Sequence, residues 1–161
     1  MPVRRLVFRW SDDATARRNA AGVNVRRACV RDDAAAIAGL VEAVRESGFP
    51  VANPAGLLAD LSSRPTREVS VWVAERGDTT VGLVASVATG TNPPRHSIAW
   101  LLVSPACRRR GVGSTLVAAA LEEARAYGAR EVWVETRADW AAAEALWRAL
   151  GFRPPVSRSA P

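Results

Sequence analysis

The sequence predicts an α/β (α+β) domain with a mixed central sheet flanked by about four helices. Three observations lead there. First, Val69, Val71 and Val73 alternate with Ser70, Trp72 and Ala74, and Val81, Leu83, Ala85 and Val87 follow after Gly77-Asp78. Alternation on both sides of a turn reads as an antiparallel hairpin. Second, the apolar run Ile98–Val103 leads through a glycine-bearing loop into an amphipathic helix and then a strand at 131–136. That order needs a crossover, so the two strands are expected to be parallel neighbours. Third, apolar stripes at helical spacing stand before and after the hairpin.

Residues 1–22 show no sustained period and are read as a basic, flexible extension, in which five arginines face Asp12 and Asp13. A solvated tail is the plain reading of such a segment and a nucleic-acid arm the sharper one. The folded domain is placed at 23–153 and a C-terminal tail at 154–161. Asn24 to Ala28 reads as a short strand. Asp32 and Asp33 then offer N-caps for a helix with the stripe Ile37, Leu40, Val41 and Val44, ending near Gly48. Asn53-Pro54 opens a second helix, asparagine as cap and proline in the first turn, with Leu57, Leu58 and Leu61 as its buried face. Gly82 marks a candidate bulge in the hairpin, and residues 90–95, with two prolines, form a loop. The strand His96–Val103 is apolar on both faces from Ile98 on, which suits a central place in the sheet. The next helix carries Leu116, Val117, Ala120, Leu121 and Ala124 and stops at Gly128. The last, capped near Asp139, carries Trp140, Ala143, Leu146, Trp147 and Leu150 and stops at Gly151.

With 161 residues, 48% of them apolar, the chain suits one domain with its own core. Its apolar runs fall short of the ~20 residues of a membrane span, and the N-terminal stretch lacks a signal-peptide core. A cytoplasmic protein without membrane contact is expected. Cys29 and Cys107 form neither a metal-ligand pair nor a disulfide framework, and His96 is the single histidine, so no metal is expected. Arginine alone carries the basic side of the +6 net charge. The arginines are dispersed and no stacking motif accompanies them, so a nucleic-acid partner ranks last.

The chemistry concentrates at Arg108-Arg109-Arg110-Gly111-Val112-Gly113-Ser114, between the apolar strand and the helix. A helix start leaves backbone N–H groups without partners, and its dipole favours an anion there. Gly111 and Gly113 remove side chains, so a phosphate can approach the backbone. Three arginines raise the local positive potential and match phosphate oxygens with forked guanidinium groups. A pyrophosphate ligand accounts for all three features. A P-loop would need a lysine that this chain lacks, and a dinucleotide fingerprint would put its third glycine at Leu116. A basic helix cap without any ligand is the plain alternative.

The setting of the loop is more specific than the loop. Leu102-Val103-Ser104-Pro105 precedes Arg108-x-x-Gly111-x-Gly113, and Leu146-Trp147-Arg148-Ala149-Leu150-Gly151-Phe152 follows on a later helix. This combination resembles the GNAT superfamily of acyl-CoA-dependent N-acyltransferases. Its members carry Gln/Arg-x-x-Gly-x-Gly/Ala after an apolar strand and end a later helix with Leu-Tyr-x-x-x-Gly-Phe. The resemblance is firm over 96–153 and looser over 24–95. It implies a GNAT-like sheet with antiparallel N-terminal strands and a splayed parallel pair. Pantetheine would lie in the splay along the backbone of Leu101, Leu102 and Val103. The N–H groups of Arg109, Arg110, Gly111, Val112, Gly113 and Ser114, with the Arg108 side chain, would hold the pyrophosphate of acetyl-CoA. The acyl group would sit near Trp100 and Leu101.

The implied reaction is N-acetyl transfer from acetyl-CoA, by direct attack, to a primary amine of a small molecule, peptide or protein. An alkylammonium of pKa ~10 must first lose a proton, usually to a carboxylate. Glu68, Glu75 and Glu135 lie in or beside strands and are the candidates; each also reads as a solvated strand-end charge, and His96 as a surface residue. Residues 33–61 would shape the acceptor site, where Glu42, Glu46 and Asp60 face a cationic amine or are plain helix charges. Trp72 and Trp100 line the acyl cavity or simply pack, and Cys107 is a reactive thiol or a small loop residue. The chain departs from the family pattern in two ways. Trp147 replaces the tyrosine that serves as general acid, and Trp140 the asparagine before it. Indole N–H donates a hydrogen bond but does not readily release its proton. An acyl-CoA-binding module with lost or weak catalysis is therefore the alternative function. The C-terminal hairpin is also shortened or absent, and an open sheet edge points towards a homodimer.

Overall fold

The computed structural model describes residues 5–11, 22–48, 53–64, 68–90, 95–137 and 141–154. The elements in chain order are β1 (Arg5–Ser11), β2 (Asn24–Arg27), α1 (Ala34–Glu46), α2 (Pro54–Ser63), β3 (Val69–Arg76), β4 (Thr79–Thr89), β5 (Arg95–Val103), a 3-10 turn (Pro105–Cys107), α3 (Val112–Ala126), β6 (Glu131–Arg137) and α4 (Ala141–Ala149). The strands form one sheet in the order β1-β6-β5-β4-β3-β2. Only β5 and β6 run parallel among these neighbours. The mixed sheet expected from the sequence is thus present, with β5 central.

Two apolar layers cover the sheet. On one face Val71, Val73, Leu83, Ala85 and Leu102 pack under α1 and α2 through Ile37, Leu40, Val41, Val44, Leu57 and Leu61. On the other face Val84, Ile98, Val132 and Val134 pack under α3, and Trp147 and Phe152 close that cluster. Burial of these aliphatic faces is the main favourable term in folding. Polar contacts orient the pieces. Glu123 of α3 takes an ion pair from Arg27 of β2 and a 2.9 Å hydrogen bond from the Trp72 indole of β3.

Helix boundaries follow their local chemistry. Asn53 caps α2 by accepting from the Gly56 N–H at 2.7 Å, with Pro54 in the first turn. Asp33 stands at the N-cap position of α1 but makes no capping bond. Its carboxylate instead accepts from Arg26, at 2.7 and 3.1 Å, and from the Cys29 N–H at 3.0 Å. Those hydrogen bonds, Arg26 first, hold the Asp33 carboxyl below the usual carboxylate range. Gly128 ends α3 at φ 83°, and the Ala129 N–H reaches back to the Ala124 carbonyl at 2.9 Å. The expected cap at Asp139, and Trp140, lie outside the described residues.

The N-terminal reading needs correction. Arg5–Ser11, taken as part of a structureless extension, is strand β1, paired antiparallel with all of β6 from Arg5↔Arg137 to Ser11↔Glu131. Leu6, Phe8 and Trp10 alternate with Arg5, Val7 and Arg9, a period-2 signal hidden by the basic composition. Among the described residues α4 is the last helix or strand, followed by the isolated bridge residue Arg153. The outer edge of β6 is therefore covered by β1, and the edge strands of the described sheet are β1 and β2.

Candidate functional site

The parallel pairing of β5 with β6 is short. It runs through His96↔Val132, Ser97↔Trp133 and Ile98↔Val134 and then stops, while both strands continue. On its other side β5 stays paired with β4 as far as Gly82↔Val103, with a register shift that leaves Ala99 unopposed. A bulge of this kind bends the strand that carries it. From Trp100 to Val103, β5 thus has a partner on one side and turns its other edge to a gap bordered by Glu135, Thr136 and Arg137 of β6. The closed end is stapled by the Arg95 guanidinium, 4.2 Å above the Trp133 ring.

The gap leads directly to the start of α3. Arg109 (φ 61°) and Gly111 (φ 82°) both take the left-handed conformation, which turns the chain sharply into the helix. The first helical bond runs from Thr115 N–H to the Gly111 carbonyl at 3.0 Å. The N–H groups of Val112, Gly113 and Ser114 precede it and point out of the helix start. A Cβ on Gly113 would lie 3.7 Å from Val103 Cγ2 and 4.0 Å from Leu101 Cδ2. The helix opening therefore rests on the last residues of β5, and the helix start and the gap are continuous. The Arg108 side chain donates to the Val103 carbonyl at 3.2 Å and to Ser47 Oγ, at the end of α1, at 3.3 Å. It ties α1, β5 and the loop together.

The remaining sequence candidates separate by position. Glu75 lies on β3, two strands from the gap, and its carboxylate accepts from Arg26 at 2.7 and 3.0 Å. Glu68 precedes β3, where its carbonyl receives the Ala88 N–H. Glu135 alone borders the gap, on the first β6 residue past the last β5 pair. His96 is not a surface residue. It is 6% exposed, its Nε2 has no partner, and burial lowers its pKa while Glu123 opposes the shift. It sits at the closed end of the gap, away from the loop. Trp147 is 5% exposed and packs edge-on against Phe152, with ring centroids 5.2 Å apart. Trp72 faces α3 and does not line the gap. Cys107 is buried and receives the Arg76 guanidinium at 3.6 Å.

One pairing was not read from sequence. Trp100, the first residue past the bulge, packs on the α1/α2 face, and its indole N–H donates to Asp60 Oδ2 of α2 at 3.2 Å. The sequence offered Asp60 as a contact for a cationic amine or as a plain helix charge, but not its indole partner, which lies 40 residues away.

This arrangement defines a domain of the acetyltransferase type. Residues 28–152 match the acetyltransferase (GNAT) family, and the chain belongs to it. A GCN5-related N-acetyltransferase from Ralstonia eutropha JMP134 superposes with a TM-score of 0.63 at 24% identity, over 87% of this chain and 98% of that one. The aminoglycoside N-acetyltransferase AAC(6')-Iy in complex with CoA gives 0.69 at 20% identity, over 83% and 90%. An aminoglycoside acetyltransferase from an uncultured soil metagenomic sample, in complex with sisomicin, gives 0.65 at 22% identity, over 87% and 93%. An uncharacterized protein of Mycobacterium leprae is 36% identical over 80 residues, which span 49% of this chain and 21% of that protein. Among the described residues no helix is long and apolar enough to cross a membrane, and no group of three metal-ligating side chains occurs.

Proposed function

We propose that the protein transfers an acetyl group from acetyl-CoA to a primary amine. The observation that carries this reading is the gap between β5 and β6, which opens at Ile98↔Val134 and runs into the helix start at Gly111–Ser114. An extended pantetheine arm can add to the open edge of Leu101–Val103 as a strand would. The diphosphate then meets the Val112, Gly113 and Ser114 amides and the positive end of the α3 dipole. Arg109 and Arg110 stand beside it. The CoA complex of the similar AAC(6')-Iy structure supports this assignment by fold alone.

In the proposed reaction the amine nitrogen attacks the thioester carbonyl, the carbon–sulfur bond breaks, and the CoA thiolate leaves. The proton lost by the amine passes to a carboxylate, directly or through water. Glu135 is the best placed of the three candidates. No tyrosine is available from α4, because Trp147 fills that place and is buried. A thiolate of pKa ~8.5 leaves tolerably near neutral pH, and a missing general acid typically costs ~10²–10⁴-fold. That same substitution favours the second reading, a CoA-binding module with weak turnover.

Calorimetric titration with acetyl-CoA tests the shared part of both readings. Saturable binding is expected. Gly113→Ala should retain it, since the added methyl meets only ordinary contacts. Gly113→Glu should abolish it by setting a carboxylate against the diphosphate. Undiminished binding by Gly113→Glu would refute the site. Thiol release across a panel of primary amines then separates enzyme from module.

A further inference from the structure

We propose that the Trp100 indole and the Asp60 carboxylate form the seat for the acceptor's ammonium group, so that the acceptor is a cationic amine; this rests on the acetyl-transfer reading above. The two side chains come from different elements, β5 and α2, and meet at 3.2 Å where β5 leaves β6. Trp100 lies immediately beyond the bulge, at the level proposed for the thioester. An aromatic face beside a carboxylate recognises an alkylammonium through two attractions at once, cation–π and ion pairing.

The charges around this place agree. Val132, Val134 and Thr136 of β6 are buried, the two valines under α3, so alternation places Glu135 on the α1/α2 face, the face of Trp100. The mouth of the gap is thus bordered by two carboxylates on one face. Cations stand among the described side chains as well. Arg95 is at the closed end, over Trp133. Arg64 lies 3.5 Å from Asp60 Oδ1, one turn along α2, and leaves Oδ2 to the indole. Asp60 is 38% exposed, so a ligand can reach it. Arg64, the i,i+4 partner of Asp60 on α2, would compete with an incoming ammonium for this carboxylate.

Two CoA conjugates of equal size provide the test: S-(2-aminoethyl)-CoA, ending in an ammonium, and S-propyl-CoA, ending in a methyl. Their dissociation constants are measured by calorimetry with the intact chain. The ammonium conjugate should bind roughly tenfold or more tightly than its neutral twin. Asp60→Asn should erase that preference and leave S-propyl-CoA binding unchanged, because asparagine still accepts the indole N–H and removes only the charge. Asp60→Glu should restore part of the preference, and Arg64→Ala should enlarge it. Equal affinities in the unaltered protein, or a preference that survives Asp60→Asn, would overturn the seat while leaving the CoA site intact. Failure of both conjugates and of acetyl-CoA to bind would overturn the seat together with the acetyl-transfer reading.

Discussion

His96 packs beneath α3 with an orphaned Nε2, and burial keeps its imidazole neutral to a lower pH than usual. Its ordinary value is 6.5. The unfolded chain therefore takes up a proton below about that pH, and the folded chain does so only at lower pH. Stability contributed by the neutral form is complete above this range and is lost as pH falls. Asp33 does not confuse the picture. Its carboxyl is lowered from 3.8, so its contribution is lost only in stronger acid. The melting temperature is expected to drop between pH 7 and pH 5, at no more than about 1.4 kcal/mol per pH unit from His96. In His96→Leu the drop should shrink. An identical slope in the variant would assign the pH dependence elsewhere. Residue chemistry was partly legible in the sequence: the Asn53 cap and the Gly111 turn follow from local rules. The contacts of His96, Asp33 and Asp60 were not: His96 is buried, Asp33 turns back to Arg26 instead of capping α1, and Asp60 meets a side chain 40 residues away.

Among the elements, α3 is the one whose placement matters most to the site, and Gly82 of β4 sets it. Val81 is the extra residue of the β3–β4 register shift, so Gly82 does adjoin a bulge, as the sequence suggested. Its greater consequence is close approach. A Cβ there would lie 2.8 Å from Leu116 Cδ1, 3.0 Å from Val112 Cγ1 and 3.3 Å from the Leu102 carbonyl oxygen. The first turn of α3 sits directly on β4 at this point. Gly82→Ala should cost about 1–3 kcal/mol by overpacking. It should also weaken acetyl-CoA binding, since relief requires α3 to lift its N-terminus from β5. Thermal denaturation and calorimetry would measure the two effects. A loss of stability with unchanged affinity would show that the helix start does not move. Element types were legible from period and punctuation, including the Schellman-like stop at Gly128. The close approach at Gly82 was not, because the sequence does not say which helix crosses which strand.

At the scale of the whole molecule, β1 decides how the sheet ends. It pairs along the full length of β6 and covers an edge that would otherwise present unpaired backbone groups. Removing residues 1–11 should expose that edge and produce concentration-dependent association in sedimentation velocity. Acetyl-CoA binding should persist, because β5 and α3 make the proposed site without β1. A truncated chain sedimenting like the intact one at every concentration would show that β6 needs no cover.

Local pattern by itself determined the order of the central elements, the parallel relation of β5 and β6, and the anion-friendly start of α3. These depend on period, turn residues and the geometry of a crossover, all of which act over a few residues. Tertiary structure alone decided that a basic N-terminal segment becomes an edge strand, at which residue β5 and β6 part, and that Asp60 meets Trp100. Each of these depends on which distant backbone or side chain lies opposite, and a linear pattern carries no term for that.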